Sequence, residues 1–291
     1  DNFRFSGPSS ISKAFLSALY AKQGNVVMSE LFDSKSGFYG NVEQLNAMKS
    51  FLSKPNNYKT PYEQLVTKIY TYTLSDINDF QAVEATFQNK IPQAIAFMEQ
   101  SDNGKEKLYG NPFKGTIQDC HDCDHAEPQK TKYSRLQLLQ YINGMQNNLA
   151  ANKDVFNSAL LLGNAFYNIT YFGNARHFYE GKINGYGMDT YSRGDCSLAR
   201  LYYQKALAAA TTAEQKAKCH YMLAKCERND YYSKKYENDK FQWTWGNDED
   251  KINFLAWNGF KELKNNYANT KFYQEVLQEC GYFKTYVNQG E

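Results

Sequence analysis

Apolar residues recur every three or four positions along most of this 291-residue chain, and this spacing is the feature that most constrains its fold. Near the N-terminus, Ile11, Phe15 and Leu19 keep a spacing of four between a pair of serines and a later glycine, which predicts a helix with start and stop signals. Thr60 precedes Pro61, a capping residue before a proline at the first helical position, and predicts another start. No stretch sustains an alternation with period two. The sequence therefore predicts an all-α fold.

The apolar period disappears between residues 101 and 132, where Gly, Pro, Asp and Lys are frequent. A loop of this length inside a compact protein is usually functional or disordered. Helical periodicity then resumes, with helices predicted over 133–150, 154–169, 172–182, 197–210, 213–229, 251–267 and 270–287. We therefore divide the chain into an N-terminal helical region at 1–100, an irregular loop at 101–132 and a helical-repeat region at 133–291.

The balance of charged residues limits which kinds of partner the chain can bind. The chain carries 33 basic and 31 acidic residues, a net charge of +2, and so lacks the electrostatic footprint of a nucleic-acid-binding protein. No apolar run approaches the roughly 18 residues of a membrane span, so we expect membrane tethering only through regions outside this chain. Because the chain begins without Met, we expect it to be an excerpt or a processed product.

The loop contains the most chemically distinctive stretch of the chain, "QDCHDCDH" at 118–125. The C-x-x-C spacing lets the thiolates of Cys120 and Cys123 reach one ion, and His125 can add an imidazole. We assign His121 as the fourth ligand of a structural zinc site. Other residues that could complete the tetrahedron are Asp122, Asp124, His177 and Cys196.

Three alternatives to structural zinc stay open for this cluster. Cys120 and Cys123 could form a disulfide or a redox pair, as oxidising compartments favour. The polar side chains could instead cap neighbouring helices. A zinc with an open water position beside Asp119, Asp122 or Asp124 would make a metal-dependent hydrolase. No second catalytic motif accompanies the cluster, so we expect no enzymatic activity.

The stretch "ALLLGNAFYNITYFGNARHFYEG" at 159–181 resembles a tetratricopeptide repeat. Leu162 and Gly163 match the Leu-Gly pair of that family, Phe166 the following aromatic residue, and Ala175 and Tyr179 the small and aromatic residues of the second helix. The resemblance implies antiparallel helix pairs stacked as a solenoid, in which residues without bulk stand where two helices cross.

Two further stretches resemble repeat helices more loosely. Ala199, Tyr203 and Ala206 have the spacing of a second helix, Leu223 and Ala224 stand at the next Leu-Gly position, and "YANTKFYQEV" is similar to a turn and second helix. The sequence departs from the family pattern at His220 and Glu227, where aromatic residues are preferred. From residue 110 onward the chain is also similar to helical-repeat proteins of Bacteroidetes bacteria. That resemblance implies a cell-envelope location, periplasmic or associated with the outer membrane, as part of a larger protein.

The repeat resemblance also implies a partner surface on the first helix of each pair. Some peptide-binding members of the family use an asparagine directly after the glycine, the position of Asn164, to hold a peptide backbone or a terminal carboxylate. The implied partner-binding residues are Asn157, Asn164, Tyr167 and Asn168 on one helix and Lys218, Tyr221, Lys225 and Arg228 on another. We expect a noncatalytic scaffold that binds a protein or peptide partner, with an acidic or C-terminal segment favoured by the lysines.

A second candidate surface is "FQWTWGNDED" at 241–250. Its alternating Phe241, Trp243 and Trp245 could stack on sugars, which would make the protein a glycan-binding module. The same residues could instead pack this insert onto the helices, because exposed apolar patches favour aggregation.

Overall fold

The structure, a computed structural model, describes residues 2–35, 37–118, 129–185, 193–238 and 258–288. In these ranges the chain forms thirteen α-helices and no β-strand, and its two isolated bridges join Lys107 to Ser134 and Gly181 to Gly185. The predicted all-α class is therefore confirmed for the described part of the chain.

Six helices precede residue 100, and most begin at a side chain that caps the helix. They are α1 (Asn2–Lys22), α2 (Val26–Phe32), α3 (Val42–Ser53), α4 (Pro61–Ile69), α5 (Leu74–Phe87) and α6 (Ile91–Met98). Thr60 and Thr73 each form a reciprocal capping box with the acidic residue three positions later, at α4 and α5. The start predicted at Thr60 is confirmed.

Seven helices follow the loop. They are α7 (Arg135–Ala150), α8 (Val155–Asn168), α9 (Ser197–Ala209), α10 (Ala213–Asn238), α11 (Asn258–Asn266), α12 (Lys271–Glu279) and α13 (Gly281–Asn288). Helices α7, α8 and α9 lie within two residues of their predicted bounds. Helix α10 is longer than predicted, because it continues past residue 229. The single helix predicted at 270–287 is two helices, α12 and α13, separated by Cys280, whose backbone is extended.

The helix predicted at 172–182 is not formed. The chain turns back directly after α8, because Ala175 donates its backbone N–H to the carbonyl of Asn168 at 2.8 Å and Gly173 lies against the Asn168 backbone. Only a 3₁₀ turn, Arg176–Tyr179, follows. Ala175 and Tyr179, which the repeat resemblance assigned to a second helix, are buried core residues on this turn.

Because no helix forms at 172–182, the helix that packs most closely on α8 is α9. A Cβ at Gly163 of α8 would lie 2.4 Å from the ring of Tyr203 on α9, so only glycine fits at this crossing. Gly259 at the start of α11 plays the same role on α10, where a Cβ would lie 2.7 Å from the methyl group of Ala224. Residues without bulk thus permit both close contacts. The repeat resemblance implied a close crossing at Gly163, but with the helix predicted at 172–182 and not with α9.

Among the described residues there are two large hydrophobic clusters and a small third one formed by Ala159, Ala206 and Cys219. The N-terminal cluster is formed by side chains of α2 to α5, including Met48, Val66 and Ile77. The larger cluster extends from α5 to α13, as each helix from α5 to α10 packs on the next. Helix α5 contributes to both, with Ile77 in the first and Val83 in the second.

The apolar stripe of α1 faces outward. Ile11 is 73% exposed and Phe15 is 68% exposed, so the spacing that predicted the helix does not mark a buried face. Within the part of the chain that the structure describes, no helix is both long and apolar enough to cross a bilayer.

Candidate functional site

The segment from Glu106 to Gln118, here called the strap, crosses the faces of several helices. The N–H of Leu108 donates to the carbonyl of Tyr133 at 2.9 Å, which fixes the first part of the strap beside α7. A turn at 111–114 follows, closed by the N–H of Lys114 on the carbonyl of Asn111 at 3.2 Å. Residues 101–118 and 129–132 of the predicted irregular loop are described, and apart from a 3₁₀ turn at Asp102–Lys105 they are non-helical.

Two asparagines of α8 hold the turn of the strap. Asn164 Nδ2 donates to the carbonyl of Phe113 at 2.9 Å. Asn168 Nδ2 donates to the carbonyls of Pro112 and Lys114, both at 2.9 Å. Asn164 and Asn168 are one helical turn apart and therefore lie on one face of α8.

Two residues of α10 hold the next part of the strap. Lys225 Nζ donates to the carbonyl of Thr116 at 2.8 Å, and the hydroxyl of Tyr221 donates to the carbonyl of Ile117 at 2.7 Å. Together α8 and α10 thus provide four side chains that bind five backbone carbonyl oxygens. Recognition of the strap by these bonds is directed at its main chain.

Gly115 lies between the two sets of bonds, at the closest approach of the strap to the helices. A Cβ at this position would lie 2.6 Å from Cε of Met222 and 3.3 Å from the side-chain amide of Asn164. The methionine end can move, but a branched side chain would meet the amide as well. The site therefore excludes bulk at this position.

A second set of contacts orients the side chains that hold the strap. The hydroxyl of Tyr203 donates to Oδ1 of Asn164 at 3.0 Å, which leaves the Asn164 amide nitrogen directed at the strap. Lys225 Nζ lies 4.6 Å from the ring centroid of Tyr167, and Asn229 Nδ2 donates to the Tyr167 hydroxyl at 2.6 Å. The ring face of Tyr167 stabilises the Lys225 ammonium, which is largely withdrawn from water.

Apolar side chains of the strap, and a hydrogen bond at its last residue, add to these backbone contacts. The ring of Phe113 packs edge-on against those of Tyr133 and Tyr141, with centroids 5.1 and 5.9 Å away. Ile117 is buried in the larger hydrophobic cluster. Gln118 Nε2 donates to the carbonyl of Glu279 at the end of α12, so the strap reaches the last helices of the chain.

Ionised residues fix the beginning of the strap. Glu106 and Glu180 flank His177, with Glu106 Oε1 2.9 Å from Nε2 and Glu180 Oε2 2.7 Å from Nδ1. Each ring nitrogen of His177 therefore lies within hydrogen-bonding distance of one carboxylate. Beneath them Arg135 Nη1 lies 2.9 Å from Oδ1 of Asp79. Burial raises the pKa of Asp79, although the Arg135 guanidinium opposes the shift.

The structure brings five of the eight implied partner-binding residues together around the strap. Asn164, Tyr167, Asn168, Tyr221 and Lys225 are all buried there. The strap atoms that accept these hydrogen bonds are backbone carbonyls. For Asn164 the repeat resemblance implied either a peptide backbone or a terminal carboxylate, and for the lysines it implied an acidic or C-terminal segment.

The other three implied residues have separate surroundings. Asn157 is exposed and donates to Oδ1 of Asp154 at 2.7 Å. Lys218 lies 5.4 Å from the ring centroid of Phe272. Arg228 Nη2 reaches the hydroxyl of Tyr167 at 3.4 Å, behind the strap-binding face.

Sequence reasoning missed Tyr203 and Asn229 as orienting residues, and it missed the strap as the occupant. The signal for the first two was their position on helices facing α8, which only the packing of α8, α9 and α10 reveals. The signal for the strap was the Asn-Pro and Gly residues inside the loop, which indicate a turn.

The predicted metal ligands Cys120, His121, Cys123 and His125 lie outside the described residues, as do Phe241, Trp243 and Trp245. In the described ranges, no three His, Cys, Asp or Glu side chains are placed to hold a metal ion. Of the distant residues considered as a further ligand, His177 has both ring nitrogens on carboxylates and Cys196 is fully buried.

The four described cysteines are free and buried. The neighbouring Cys226 thiol and burial raise the pKa of Cys196, and burial raises the pKa of Cys219 to about 12. Thiols in this state are poor nucleophiles and poor metal ligands. They serve as small core residues.

A cavity of about 440 Å³ lies among the N-terminal helices and is lined in part by Ser29 and Lys35. Lys35 Nζ donates to the hydroxyl oxygen of Ser29, which donates in turn to the carbonyl of Ser17 at 2.9 Å. A hydroxyl whose proton is directed at a carbonyl is not activated by a base, so this pair has the geometry of a structural contact.

Comparisons with models of known protein families, with curated proteins and with solved structures find no match for this chain.

Proposed function

We propose that the protein is a noncatalytic interaction scaffold in which the face shared by α8 and α10 binds a non-helical peptide through its backbone carbonyls. The observation that carries the proposal is the way this face already holds the strap, with four side chains on five carbonyl oxygens. Side chains that bind main-chain atoms can accept many sequences, as peptide-recognition surfaces do.

The arrangement of helices supports a repeat-like reading of this face. Helices α8 and α10 take the place of successive first helices in a tetratricopeptide-like stack, with α9 packed between them as a second helix. Asn164 follows Gly163 directly, as in the peptide-binding members that the sequence resembles. The turn after α8 departs from the family, so the proposed stack is an irregular variant of it.

The test uses the 291-residue chain with residues 111–118 replaced by an equal number of Gly and Ser residues. A labelled peptide with the sequence of residues 110–118 is then titrated and followed by fluorescence anisotropy. We expect saturable binding that a peptide of scrambled order does not show. Asn164→Ala in the same chain should weaken binding by about tenfold, the effect of losing about one hydrogen bond.

Binding no tighter than that of the scrambled peptide, by a replaced chain with wild-type helix content in circular dichroism, would contradict the proposal. Asn157→Ala is the matched control, because Asn157 lies on the same helix and its side chain donates to Asp154. It should leave the affinity unchanged.

We further propose that the cluster at 120–125 binds structural zinc within a larger cell-envelope protein. Support comes from the C-x-x-C spacing and from the sequence resemblance described above. Since Cys120 stands two residues after Gln118, a metal there would fix the end of the strap. Elemental analysis with a thiol count on the unfolded protein tests this proposal. One zinc per chain with all six cysteines reduced is expected, whereas zero metal with two fewer reduced cysteines would replace zinc by a disulfide.

A further inference from the structure

We infer that the α8–α10 face selects peptides that carry an Asn-Pro turn, a glycine three residues after the proline, and an aliphatic residue two positions beyond the glycine. The strap is the resident occupant with which such a peptide competes. This inference rests on the proposed function and adds the chemical class of the partner to it. It follows from the side chains of the strap, since the carbonyl bonds alone carry no sequence preference.

The turn at 111–114 is the first element of the pattern. Asn111 Oδ1 accepts the N–H of Phe113 at 3.0 Å, and Asn111 O accepts that of Lys114 at 3.2 Å. Proline after this asparagine restricts the backbone before the turn closes, which lowers the entropy lost on binding. The turn brings the carbonyls of Pro112 and Lys114 to within reach of one amide group, that of Asn168.

The glycine is the second element. Gly115 has Cε of Met222 and the amide of Asn164 where a Cβ would lie. The amide cannot withdraw without losing its bonds to Phe113 and Tyr203. Steric exclusion at this position therefore does not depend on the flexible methionine alone, and a β-branched residue is rejected.

The aliphatic residue is the third element. Ile117 is buried in the larger cluster, whereas the neighbouring side chains of Lys114 and Gln118 are exposed. Burial of one aliphatic side chain contributes free energy that a polar residue at the same position would lose. Position 114 should therefore tolerate substitution far better than 115 and 117.

The tether gives the strap an advantage over a free peptide. A segment joined to its site by short linkers acts at an effective concentration in the millimolar range, so a free peptide of equal intrinsic affinity competes poorly in the wild-type chain. A partner with this pattern gains access when the strap is released. The site is thus self-occupied, and its partners are expected to imitate residues 111–117.

The experiment titrates four peptides of residues 110–118 into the chain with the Gly-Ser replacement: the native sequence and its Gly115→Val, Ile117→Ser and Lys114→Ala variants. We expect Gly115→Val and Ile117→Ser to weaken binding by at least about tenfold, and Lys114→Ala to change it less than about twofold. The wild-type chain should bind the native peptide at least about tenfold more weakly than the replaced chain.

The outcomes separate this inference from the proposed function. Equal binding of all four peptides would overturn the pattern and leave the peptide site in place, whereas absence of binding by the folded, replaced chain would overturn both. Equal affinity of the wild-type and replaced chains would overturn competition by the strap. If the replaced chain does not fold, Gly115→Val in the full chain releases the strap with a single change, and Gly144→Val, at a glycine with open space around it, is its control.

Discussion

Lys225 is a buried ammonium, 3% exposed, whose charge is stabilised by the carbonyl of Thr116 and the ring of Tyr167. A hydrogen bond from a charged donor contributes more than a neutral one, so this contact should be the strongest single bond on the strap. Its loss should favour opening of the strap even where the global stability of the protein changes little, because removing a buried charge also removes a desolvation cost.

We therefore expect Lys225→Met to expose the Lys114–Gly115 peptide bond to trypsin. The loss of about 1.5–3 kcal/mol should raise the rate of cleavage there by about tenfold to a hundredfold, since cleavage follows the population of the open strap. The measurement is mass spectrometry of limited digests. Lys218→Met is the control, as Lys218 lies on the same helix over Phe272; similar acceleration in both variants would contradict the assignment.

His220 makes stability depend on pH. Burial, helped by nearby Lys216 and opposed by Glu262, holds the pKa of His220 below its ordinary value. As the pH falls below 6.5, the unfolded chain takes up a proton that the folded chain does not, so the free energy of unfolding decreases until the folded pKa is passed. The stacked ring of Tyr267, 5.3 Å away, is one source of this burial.

His220→Gln should remove that contribution. We expect wild type to lose more stability than the variant between pH 7.5 and 5, measured by urea denaturation at each pH. Carboxyls whose pKa burial raises, such as Glu30 and Glu227, act in the opposite direction at acidic pH, but they are common to both proteins. The difference between the two curves therefore reports His220, and parallel curves would contradict its role.

At the scale of the element, helices α8 and α9 can pack closely because Gly163 has no side chain at their crossing. Gly163→Ala places a methyl group against the buried ring of Tyr203, and overpacking of this kind costs about 1–3 kcal/mol. Gly144→Ala in α7 is the matched control: its Cβ meets nothing within 4 Å, and it should stabilise by about 0.5–1 kcal/mol. Denaturation midpoints of the two variants should therefore move in opposite directions.

Local signals explain which elements could be predicted from the sequence. The capping box at Thr60 and the apolar period of α8 lie within one helix each, and both helices are present where predicted. The failure at 172–182 has a tertiary cause, since Gly173 and Ala175 close on the backbone of Asn168 in a way that periodicity does not encode.

The same distinction applies to the candidate site. Positions such as Asn164 and Lys225 follow from the helical phase, so the sequence could indicate that their side chains share a face. The occupant could not be predicted, because the strap carbonyls lie more than fifty residues along the chain from the α8 side chains that bind them and more than one hundred from those of α10. Contacts at that separation depend on the path of the loop, which carries no periodic signal.

Over the whole molecule, the two hydrophobic clusters meet in α5 and are joined by further contacts. Asp79 of α5 pairs with Arg135 of α7, and Ile183, from the C-terminal half, packs against the N-terminal cluster. A boundary at residue 100 would separate Val83 of α5 from the larger cluster into which it packs. The two clusters should therefore unfold as one cooperative unit, although the sequence suggests separate regions.

Ile77→Ala tests this coupling, because Ile77 is fully buried in the N-terminal cluster only. The cavity should cost about 2–5 kcal/mol, and in a single cooperative transition that loss appears equally in both halves of the chain. Hydrogen exchange in increasing urea, followed separately for α3 and α8, measures the loss of stability in each half. A lower midpoint at α3 with an unchanged midpoint at α8 would show that the clusters unfold independently. The strap, whose side-chain anchors described above lie on α8, α10 and the end of α12, would then stay bound while the N-terminal helices open.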